Sequence, residues 1–517
     1  LETTATYIPS SDEFEIHTPT LSATKWWPGT LGKTANFAVV YARMIIQGQD
    51  HGVQPFLVQI RSLENHEPLK GIIVGDIGPK YAFSAVDNGF LKLDHVRIPR
   101  ENLLMKFLVV KKGGETTPGS DPRLLYAAML KLRLLFVDAS ALALSIGSTI
   151  AIRYSATRRQ FGESPTSQEA QVLDYQTQQY RIFPYLAASY CLFASSHRTK
   201  KLFQEFQSSV MTGIDKSVSD KIQHLHGLSS ALKILTTTLA SQGLEACRLA
   251  CGGHGYSQLS KLPEFYADVL HLATAEGENW LLSQQVTRYL LKCLQQLQGG
   301  NNKNLPAYME YLQRAEKLVS ENCTVRTDQD LLNPSNQLHM FAHRSARILL
   351  NIAEQLQQQV MSGIPSHTAW NDALIEIYRA SQAHAYYVVI YNFAEAVQHT
   401  QSTRLQNALK LLSDLFVLHS VETHLGDFTE DGYLSATQAM LVRSTIHKLL
   451  PEIRANAVLY VDAFEHSDFT LASSLACYNG NVYENLMNKV QKDPLNKTQV
   501  VEGYSKYQKP LIEAGLK

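Results

Sequence analysis

A carboxylate beside a glycine stands directly ahead of a predicted helix, in the segment Ala275-Glu276-Gly277-Glu278-Asn279. A carboxylate on such a turn can be aimed into a cleft, where it could act as a general base. The same residues can also simply cap the helix, because carboxylate and amide oxygens accept hydrogen bonds from its first amides. From spacing alone, helix capping is the better interpretation of Glu276, Glu278 and Asn279.

Three arginines, Arg153, Arg158 and Arg159, lie near the end of a long predicted helix and are followed by Gln160. Cations at a helix C-terminus are common because they interact favourably with the helix dipole. Guanidinium groups also bind phosphate oxygens in pairs, so the same residues could hold a pyrophosphate. The sequence leaves both interpretations open.

A glycine cluster follows another predicted helix, in Cys251-Gly252-Gly253-His254-Gly255-Tyr256. Glycines allow backbone N–H groups to approach a ligand closely. The cluster is neither a Walker loop nor a dinucleotide fingerprint, because no Gly-Lys-Ser/Thr follows it and no strand precedes it. Cys247 and Cys251 lack two further ligands nearby, so we predict no metal site.

Two adjacent tryptophans lie near the N-terminus, in Lys25-Trp26-Trp27-Pro28-Gly29. Neighbouring side chains on a strand point to opposite faces, so one indole can be buried while the other offers a flat aromatic surface. Gly29 would allow a ring system to approach the backbone. The alternative is ordinary core packing, because large aromatic side chains are mostly buried.

The composition is that of a folded protein, and it excludes several classes. The chain has 517 residues, with 47 Lys+Arg and 47 Asp+Glu, so its formal net charge is zero. Neutrality argues against a general nucleic-acid binder but allows a local phosphate site. Six cysteines do not make a disulfide scaffold. The most apolar stretch, 124–152, is interrupted by Lys131, Arg133 and Asp138, so we predict a buried helix and no membrane span.

The residues that could do chemistry are positioned by an N-terminal β region and a longer helical region. Strands are predicted at Phe37–Met44, Gln54–Ile60, Gly71–Ile77 and Phe90–Val96, separated by turn signals. A loop is predicted at Lys111–Asp121. Helical periodicity predicts a long helix from about Arg123 to Arg158. Further helices are predicted at Gln168–Leu192, Ser219–Leu249, Trp280–Leu297, Met340–Met361, His367–Val397, Arg404–Leu425 and Ala436–Val461.

These elements predict an α+β fold, in which an antiparallel β-barrel or sandwich is followed by two α-helical bundle domains. We expect the β domain at 1–112, a first helical domain at 122–298, a linker at 299–334 and a second helical domain at 335–517. The chain begins at Leu1, in what reads as a strand. We therefore expect it to be part of a longer protein, or a form that has lost its front end.

Many segments, in unchanged order from the first residue to the last, resemble the acyl-CoA oxidase and acyl-CoA dehydrogenase superfamily. The similarity is strongest to peroxisomal acyl-CoA oxidases. The segments are Leu1–Tyr7, Lys25–Gly29, Val74–Lys80, Arg97–Leu104, Ile152–Ala156, Asp174–Tyr180, Cys247–Tyr256, Glu276–Asn279, Asn456–Val458, Val461–Phe464 and Gly480–Leu486. Each is weak alone, but together they make the resemblance specific.

The resemblance implies a homodimeric FAD enzyme that oxidises a fatty acyl-CoA to trans-2-enoyl-CoA and reduces O₂ to H₂O₂. Glu276 would be the catalytic base that takes the α-proton. Arg133 would lie near the CoA-side entrance for the substrate. The residues implied to contact FAD, partly across the dimer, are Trp27, Gly29, Arg158, Gln160, Gly252, Gly253 and Glu278. With this context Glu276 and Arg158 are better interpreted as functional residues than as capping ones.

Some features depart from the family pattern. The N-terminal helical domain and a flavin-contacting loop of the family have no counterpart here, so we expect a more open acyl pocket. Trp280 stands where a small residue is usual. The resemblance implies a peroxisomal enzyme, but the chain ends in Ala514-Gly-Leu-Lys517 where many peroxisomal oxidases end in Ser-Lys-Leu; by its end alone it would be cytoplasmic. The alternatives are a catalytically impaired relative that acts as a binding protein, and a dehydrogenase with a separate electron acceptor.

Overall fold

The computed structural model describes residues 1–106, 108–119, 127–162, 164–212, 216–300 and 305–516, with the backbone alone at 127–128, 211–212 and 216–219. They form two compact units. The first consists of Leu1–Leu130 with Glu205–Ile222, and the second of Lys131–Gln204 with Gln223–Lys517. The predicted start of the long helix at Arg123 lies outside the described residues.

The first unit contains the strands. They are β1 (Thr4–Ile8), β2 (Glu13–His17), β3 (Lys25–Trp26), β4 (Phe37–Ile46), β5 (Gln49–Gln59), β6 (Ile72–Asp76), β7 (Gly89–Leu93), β8 (Val96–Pro99), β9 (Leu108–Val110) and β10 (Thr116–Pro118). Short 3₁₀ helices occupy Leu21–Ala23 and Arg100–Asn102. The four strands named from sequence are all present, and β5 begins five residues earlier than predicted.

The strands form a sandwich and not a closed barrel. Five of them make one sheet in the order β5-β4-β1-β2-β8, three make a second in the order β3-β7-β6, and β9 pairs with β10. Buried side chains from both larger sheets, such as Phe14, Met44 and Leu93, share one core. The barrel alternative is therefore wrong. The pairing is not wholly antiparallel either, because β1 and β4 run parallel, which the long connection through β2 and β3 permits.

The second unit is helical. It contains most of the long helices, and these position the predicted site residues. The helices of the chain are α1 (Ala127–Thr157), α2 (Gln176–Thr212), α3 (Lys216–Ala250), α4 (Gly253–Tyr256), α5 (Leu262–Leu270), α6 (Asn279–Gln298), α7 (Ala315–Ser320), α8 (Asp328–Leu331), α9 (Pro334–Met361), α10 (Ser366–Asp372), α11 (Leu374–Gln398), α12 (Thr403–Thr423), α13 (Leu425–Thr429), α14 (Ala436–Asp462), α15 (Asp468–Leu471), α16 (Val482–Val490) and α17 (Lys509–Gly515). Further 3₁₀ or π segments lie at Val172–Asp174, Gln258–Ser260, His271–Ala273, Ala307–Arg314, Pro494–Lys497 and Tyr504–Gln508.

The largest difference from the predicted helices concerns α2. It was expected at Gln168–Leu192 but runs from Gln176 to Thr212, with Pro184 inside it. Its last third is polar, and the apolar residues Phe203 and Phe206 are buried there among charged neighbours. A helix with so narrow an apolar stripe gives a weak periodic signal, because most of its side chains face water.

The segment predicted as a linker, 299–334, contains a 3₁₀ helix at Ala307–Arg314 and the helices α7 and α8. Tyr308, Met309 and Leu312 are buried in the same core as the long helices. Most of both predicted helical regions thus belongs to one compact unit, whereas Glu205–Ile222 and the residues up to Leu130 belong to the other. The boundaries that we drew between domains remain a proposal.

One described helix, α1, passes a length and composition test for a membrane span over Met129–Thr157. Most of its most apolar part is buried inside the protein, as expected for the core helix of a folded domain. It is therefore weak evidence for a span.

Candidate active site on the helical unit

Glu276 lies on a tight left-handed turn between the 3₁₀ helix His271–Ala273 and α6. Its φ is +57°, and that of Gly277 is +99°. A Cβ added at Gly277 would stand 2.8 Å from Leu282 Cδ2, so glycine is needed for space as well as for backbone conformation. Glu276 is a non-glycine residue in a strained region, and such strain persists only where the surroundings hold it.

The two carboxylates of the turn have different roles. Glu278 is the N-cap of α6, and its carboxylate accepts hydrogen bonds from the amides of Trp280 (2.9 Å) and Leu281 (3.2 Å). The capping interpretation is therefore correct for Glu278, and a contact with FAD stays a prediction. Among the described residues, the Glu276 carboxylate accepts no hydrogen bond, so it does not cap α6. Half-buried and unbonded, it is available to a substrate.

Arg133, on the second turn of α1, lies against the backbone of this turn. Its side chain is buried, and Nε donates to the carbonyl of Glu276 at 3.2 Å. Nη1 reaches His226 Nδ1 at 3.1 Å and Ser230 Oγ at 3.3 Å on α3. Burial lowers the pKa of Arg133, and the charge of Glu276 opposes that shift. The structure thus joins two predicted site residues, while contact of Arg133 with substrate stays a prediction.

Lys233 is a member of the site that sequence reasoning missed. It lies on α3, is fully buried, and donates to the carbonyls of Ala273 (3.0 Å) and Gly277 (2.7 Å) and to Asn279 Oδ1 (2.8 Å). Burial lowers its pKa to about 8, with the charge of Glu278 opposing the shift. The available signal was a lysine inside the apolar run from Leu232 to Leu235, on the face that must be buried.

Trp280, the unusual residue after the turn, packs on α11. Its indole stacks on the ring of Tyr378, with centroids 3.9 Å apart and planes at 9°. The stacking places this large side chain beside the helix start and leaves about half of it exposed. A bulky residue is therefore accommodated here by an aromatic partner on a neighbouring helix.

Arg158 and Gln160 form a second cluster just beyond the end of α1. Arg158 Nη2 donates to Gln160 Oε1 at 2.8 Å, and Nη1 donates to the hydroxyl of Tyr483 at 3.2 Å. The hydrogen bond to Tyr483 raises the pKa of Arg158, so its positive charge is secure. Both side chains are only partly buried, so the guanidinium remains accessible to an anion.

The glycine turn after α3 lies at the same end of the unit. The ring of Tyr154, one turn before Arg158, contacts that of His254, with centroids 5.8 Å apart. Gly252 has a φ of +59°, and a Cβ added there or at Gly253 would meet no described atom within 4 Å. These two glycines therefore border open space, as expected where a ligand approaches backbone. By contrast, Gly255 is needed for packing, because a Cβ there would lie 1.9 Å from the carbonyl oxygen of Arg248.

The two clusters lie at opposite ends of α1. Arg133 and Arg158 are separated by 25 positions, which corresponds to about 37 Å along a helix. Residues of the Glu276 turn and of the Arg158 cluster therefore cannot surround the same small part of one ligand. A cavity of about 930 Å³ elsewhere in this unit, lined by Arg314, His339 and Tyr433 among others, includes none of the predicted site residues.

The tryptophans of the first unit do not behave as predicted. Trp26 and Trp27 are both exposed, at 53% and 59%. Strand β3 ends at Trp26, and Trp27 leaves it with a φ of +89°, so the alternation of a strand does not apply. The core-packing alternative also fails, since neither indole is buried. Trp26 and Gly29 help to line a cavity of about 390 Å³, and contact of Trp27 and Gly29 with FAD stays a prediction.

Comparison with known proteins identifies the family. A family model described as "Acyl-CoA oxidase, C-alpha1 domain" matches residues 126–291, and one described as "Acyl-CoA oxidase" matches residues 333–513. Peroxisomal acyl-coenzyme A oxidase 1 of Cavia porcellus is 42% identical over 512 residues, which are 99% of this chain and 77% of the relative. The chain belongs to the acyl-CoA oxidase family.

Solved structures of acyl-CoA oxidases agree with this assignment. Arabidopsis thaliana acyl-CoA oxidase 1 matches with a TM-score of 0.94 and 39% identity, over 99% of this chain and 77% of that one. Caenorhabditis elegans acyl-CoA oxidase-2, solved with FAD, ascaroside-CoA and ATP, matches with a TM-score of 0.92 and 36% identity, over 100% and 76%. The predicted family and the order of a β domain before helical ones are confirmed, and the chain is an oxidoreductase of this family.

Proposed function

We propose that this acyl-CoA oxidase converts a fatty acyl-CoA to the trans-2-enoyl-CoA in the first step of peroxisomal fatty-acid β-oxidation, with FAD as cofactor and O₂ as electron acceptor. The observation that carries the proposal is the Glu276 turn. Its carboxylate accepts no hydrogen bond from the described residues, while its backbone is held by Arg133 and Lys233. A carboxylate with no hydrogen-bond donor of its own, on a restrained backbone, is suited to accept a proton from a substrate as a general base.

Glu276 would remove the proton from the α-carbon of the acyl group. This role requires a carboxylate that is fixed in direction and not hydrogen-bonded to the helix N-terminus. Because Glu278 is the N-cap of α6, the carboxylate of Glu276 is not needed as a cap. The two buried cations bind carbonyl oxygens of the turn and not the carboxylate itself. They therefore orient the base without forming the direct ion pair that would hold it away from substrate.

The residues at the far end of α1 fit a flavin dinucleotide. Arg158 offers a charged, accessible guanidinium, and Gly252 and Gly253 border open space where a Cβ would meet no described atom within 4 Å. Arginine and free backbone amides are the groups that bind pyrophosphate oxygens. FAD bound there would supply the acceptor for the β-hydride, and O₂ would then take up two electrons and two protons to give H₂O₂. The FAD complex of the nematode relative supports the same cofactor here.

An exposed apolar surface on α1 suits a fatty chain. Leu132 and Leu135 are 43% and 48% exposed. They are three positions apart, so they lie on one face of the helix, and an acyl chain on that face could be shielded from water. The long-chain acyl-CoA esters are therefore the first substrates to test.

We also propose that the enzyme acts as a homodimer. The Arg158 cluster lies about 37 Å along α1 from the Glu276 turn, so the two would not serve the same active site. The Arg158 cluster of one chain would instead bind the phosphates of the FAD that serves the Glu276 turn of the other chain.

A location in peroxisomes is supported by the name of the guinea-pig relative. Colocalisation of a tagged full-length protein with a peroxisomal marker would test it.

The activity is tested by purifying the protein with FAD and measuring H₂O₂ release from a long-chain acyl-CoA under air. We expect turnover, and Glu276→Gln should abolish it, because the amide has nearly the shape of the carboxylate but accepts no proton. A matched control is Glu264→Gln on α5, where the exposed carboxylate pairs with Lys261. A colourless protein that FAD cannot reconstitute, or equal activity of both variants, would refute the proposal.

A further inference from the structure

The ammonium group of Lys233 is fully engaged by the segment that carries Glu276. Its three acceptors are the carbonyl of Ala273 at 3.0 Å, the carbonyl of Gly277 at 2.7 Å and Asn279 Oδ1 at 2.8 Å. An ammonium has three donated protons and no acceptor site. Each proton thus has a partner, and all the partners come from seven consecutive residues of one turn.

These acceptors enclose Glu276 on both sides. Ala273 ends the preceding 3₁₀ helix, Gly277 follows Glu276 directly, and Asn279 begins α6. The carbonyl of Glu276 itself is bound by Arg133. Successive points of the backbone around the base are therefore held by two cations that approach from α1 and α3.

The acceptors of Lys233 are neutral, which makes this an unusual position for a buried lysine. Burying an ammonium without a contacting carboxylate opposes folding, and the pKa of Lys233 falls accordingly. Asn279 is fixed in turn by Thr237 Oγ1, which accepts from Nδ2 at 3.0 Å. A charge retained at such a cost is easier to understand if it fixes a strained turn on which activity depends.

We propose that Lys233 is a positioning residue for the catalytic base, because it fixes the left-handed turn that presents the Glu276 carboxylate. The inference rests on the proposed function, since it gives Lys233 a role in the reaction only if Glu276 is the base. Lys233 acts through backbone carbonyls and is not assigned any contact with substrate or cofactor.

The first test compares Lys233→Met with Lys410→Met. Methionine fills a similar volume and removes all three donors. Lys410 is a matched control, because it also donates to a backbone carbonyl, that of Leu332 at 2.7 Å, and to Asp414, but on α12. If a misplacement of about 1 Å costs on the order of 100-fold, Lys233→Met should lower kcat about 10- to 100-fold with less than about a threefold change in KM. Lys410→Met should leave both unchanged.

A second readout needs neither cofactor nor activity. Hydrogen exchange of the amides at 274–278 should accelerate in Lys233→Met and stay unchanged in Lys410→Met, because the turn loses its restraints. If Lys233→Met fails to fold, Lys233→Gln takes its place, since one amide can still reach part of the acceptor set. An unchanged exchange rate with unchanged kcat would overturn the inference.

The decisive arm is a double-mutant cycle with Glu276→Asp, which keeps a carboxylate but displaces it, read as the anaerobic rate of flavin reduction by acyl-CoA. If Lys233 acts through the position of Glu276, adding Lys233→Met to Glu276→Asp should cause a much smaller loss than it causes in the parent enzyme. An equal loss in both backgrounds would make Lys233 merely structural and overturn the inference. The outcomes separate the two hypotheses: an inactive parent enzyme refutes the proposed function, whereas an active parent with an unaffected Lys233→Met refutes only the role of Lys233.

Discussion

Gly277→Ala should damage stability and catalysis together, because this glycine is both left-handed and tightly packed. Its φ is +99°, and the added Cβ would lie 2.8 Å from Cδ2 and 2.9 Å from Cγ of Leu282. Leu282 is 1% exposed and cannot swing into solvent. The left-handed backbone costs about 1–2 kcal/mol for alanine, and overpacking a full core adds about 1–3 kcal/mol.

The catalytic effect follows from the same overlap. The 2.8 Å separation is about 0.6 Å shorter than the 3.4 Å at which ordinary contacts begin, so the turn or Leu282 must move by about that much. Misplacing a catalytic group by about 1 Å can cost 100-fold. A displacement of about half that size therefore predicts a loss in kcat on the order of tenfold, equivalent to about 1.4 kcal/mol of activation free energy.

Gly363→Ala is the matched control for this prediction. Gly363 has a similar φ of +91°, but a Cβ there would meet nothing within 4 Å. Gly363→Ala should therefore lose only the stability that the left-handed backbone costs an alanine, and it should keep full kcat. The assays are the midpoint of urea denaturation and kcat with a long-chain acyl-CoA. If Gly277→Ala matched Gly363→Ala in both, the packing argument for the Glu276 turn would be refuted.

Two further predictions concern cofactor binding and pH. Arg158→Ala should weaken FAD binding at least tenfold in a fluorescence titration, because a charged hydrogen bond contributes about 1.5–3 kcal/mol. The control Arg159→Ala, which loses only a hydrogen bond to a backbone carbonyl, should leave FAD binding unchanged. Equal effects of the two substitutions would contradict the assignment of Arg158 to FAD. Burial lowers the pKa of His384 to about 3, whereas an unfolded histidine titrates near pH 6.5. Between these values the unfolded state binds the extra proton, so stability falls as pH falls, by about 1.4 kcal/mol per pH unit for this group. His384→Phe should reduce the change of the urea denaturation midpoint with pH. His367→Phe, at an exposed site, should leave this pH dependence as it is. An unchanged pH dependence in His384→Phe would contradict the account.

Local patterns predicted most of the longer elements but missed short strands such as β9 and β10. Strand β4 alternates buried and exposed residues along much of its length, and its predicted start at Phe37 is exact. Helices α6, α12 and α14 were found within two residues at each end, because clear N-caps bound them. The start of α9 was predicted six residues too late. The α2 helix was cut short since its last third is mostly polar, and Trp27 was misplaced because its positive φ leaves no signal in residue type.

The site was only partly predictable. Motif resemblance singled out Glu276, Arg133 and Arg158, but it did not indicate that Arg133 donates a hydrogen bond to the backbone carbonyl of Glu276. The Lys233 contacts join residues 40 and 44 positions apart, and such pairing depends on how α3 packs against the turn. The sequence left a barrel and a sandwich open for the same reason, because sheet closure depends on contacts between distant strands.

The central claim is an oxidase that uses Glu276 as its base, and the visible spectrum of the purified protein tests it most directly. Under anaerobic conditions a long-chain acyl-CoA should bleach the flavin absorbance, and admission of air should restore it quickly with release of H₂O₂; Glu276→Gln should keep its colour throughout. A flavin that bleaches but stays reduced in air would indicate a dehydrogenase with a separate acceptor. A flavin that acyl-CoA does not bleach, or that bleaches equally in Glu276→Gln, would contradict the account.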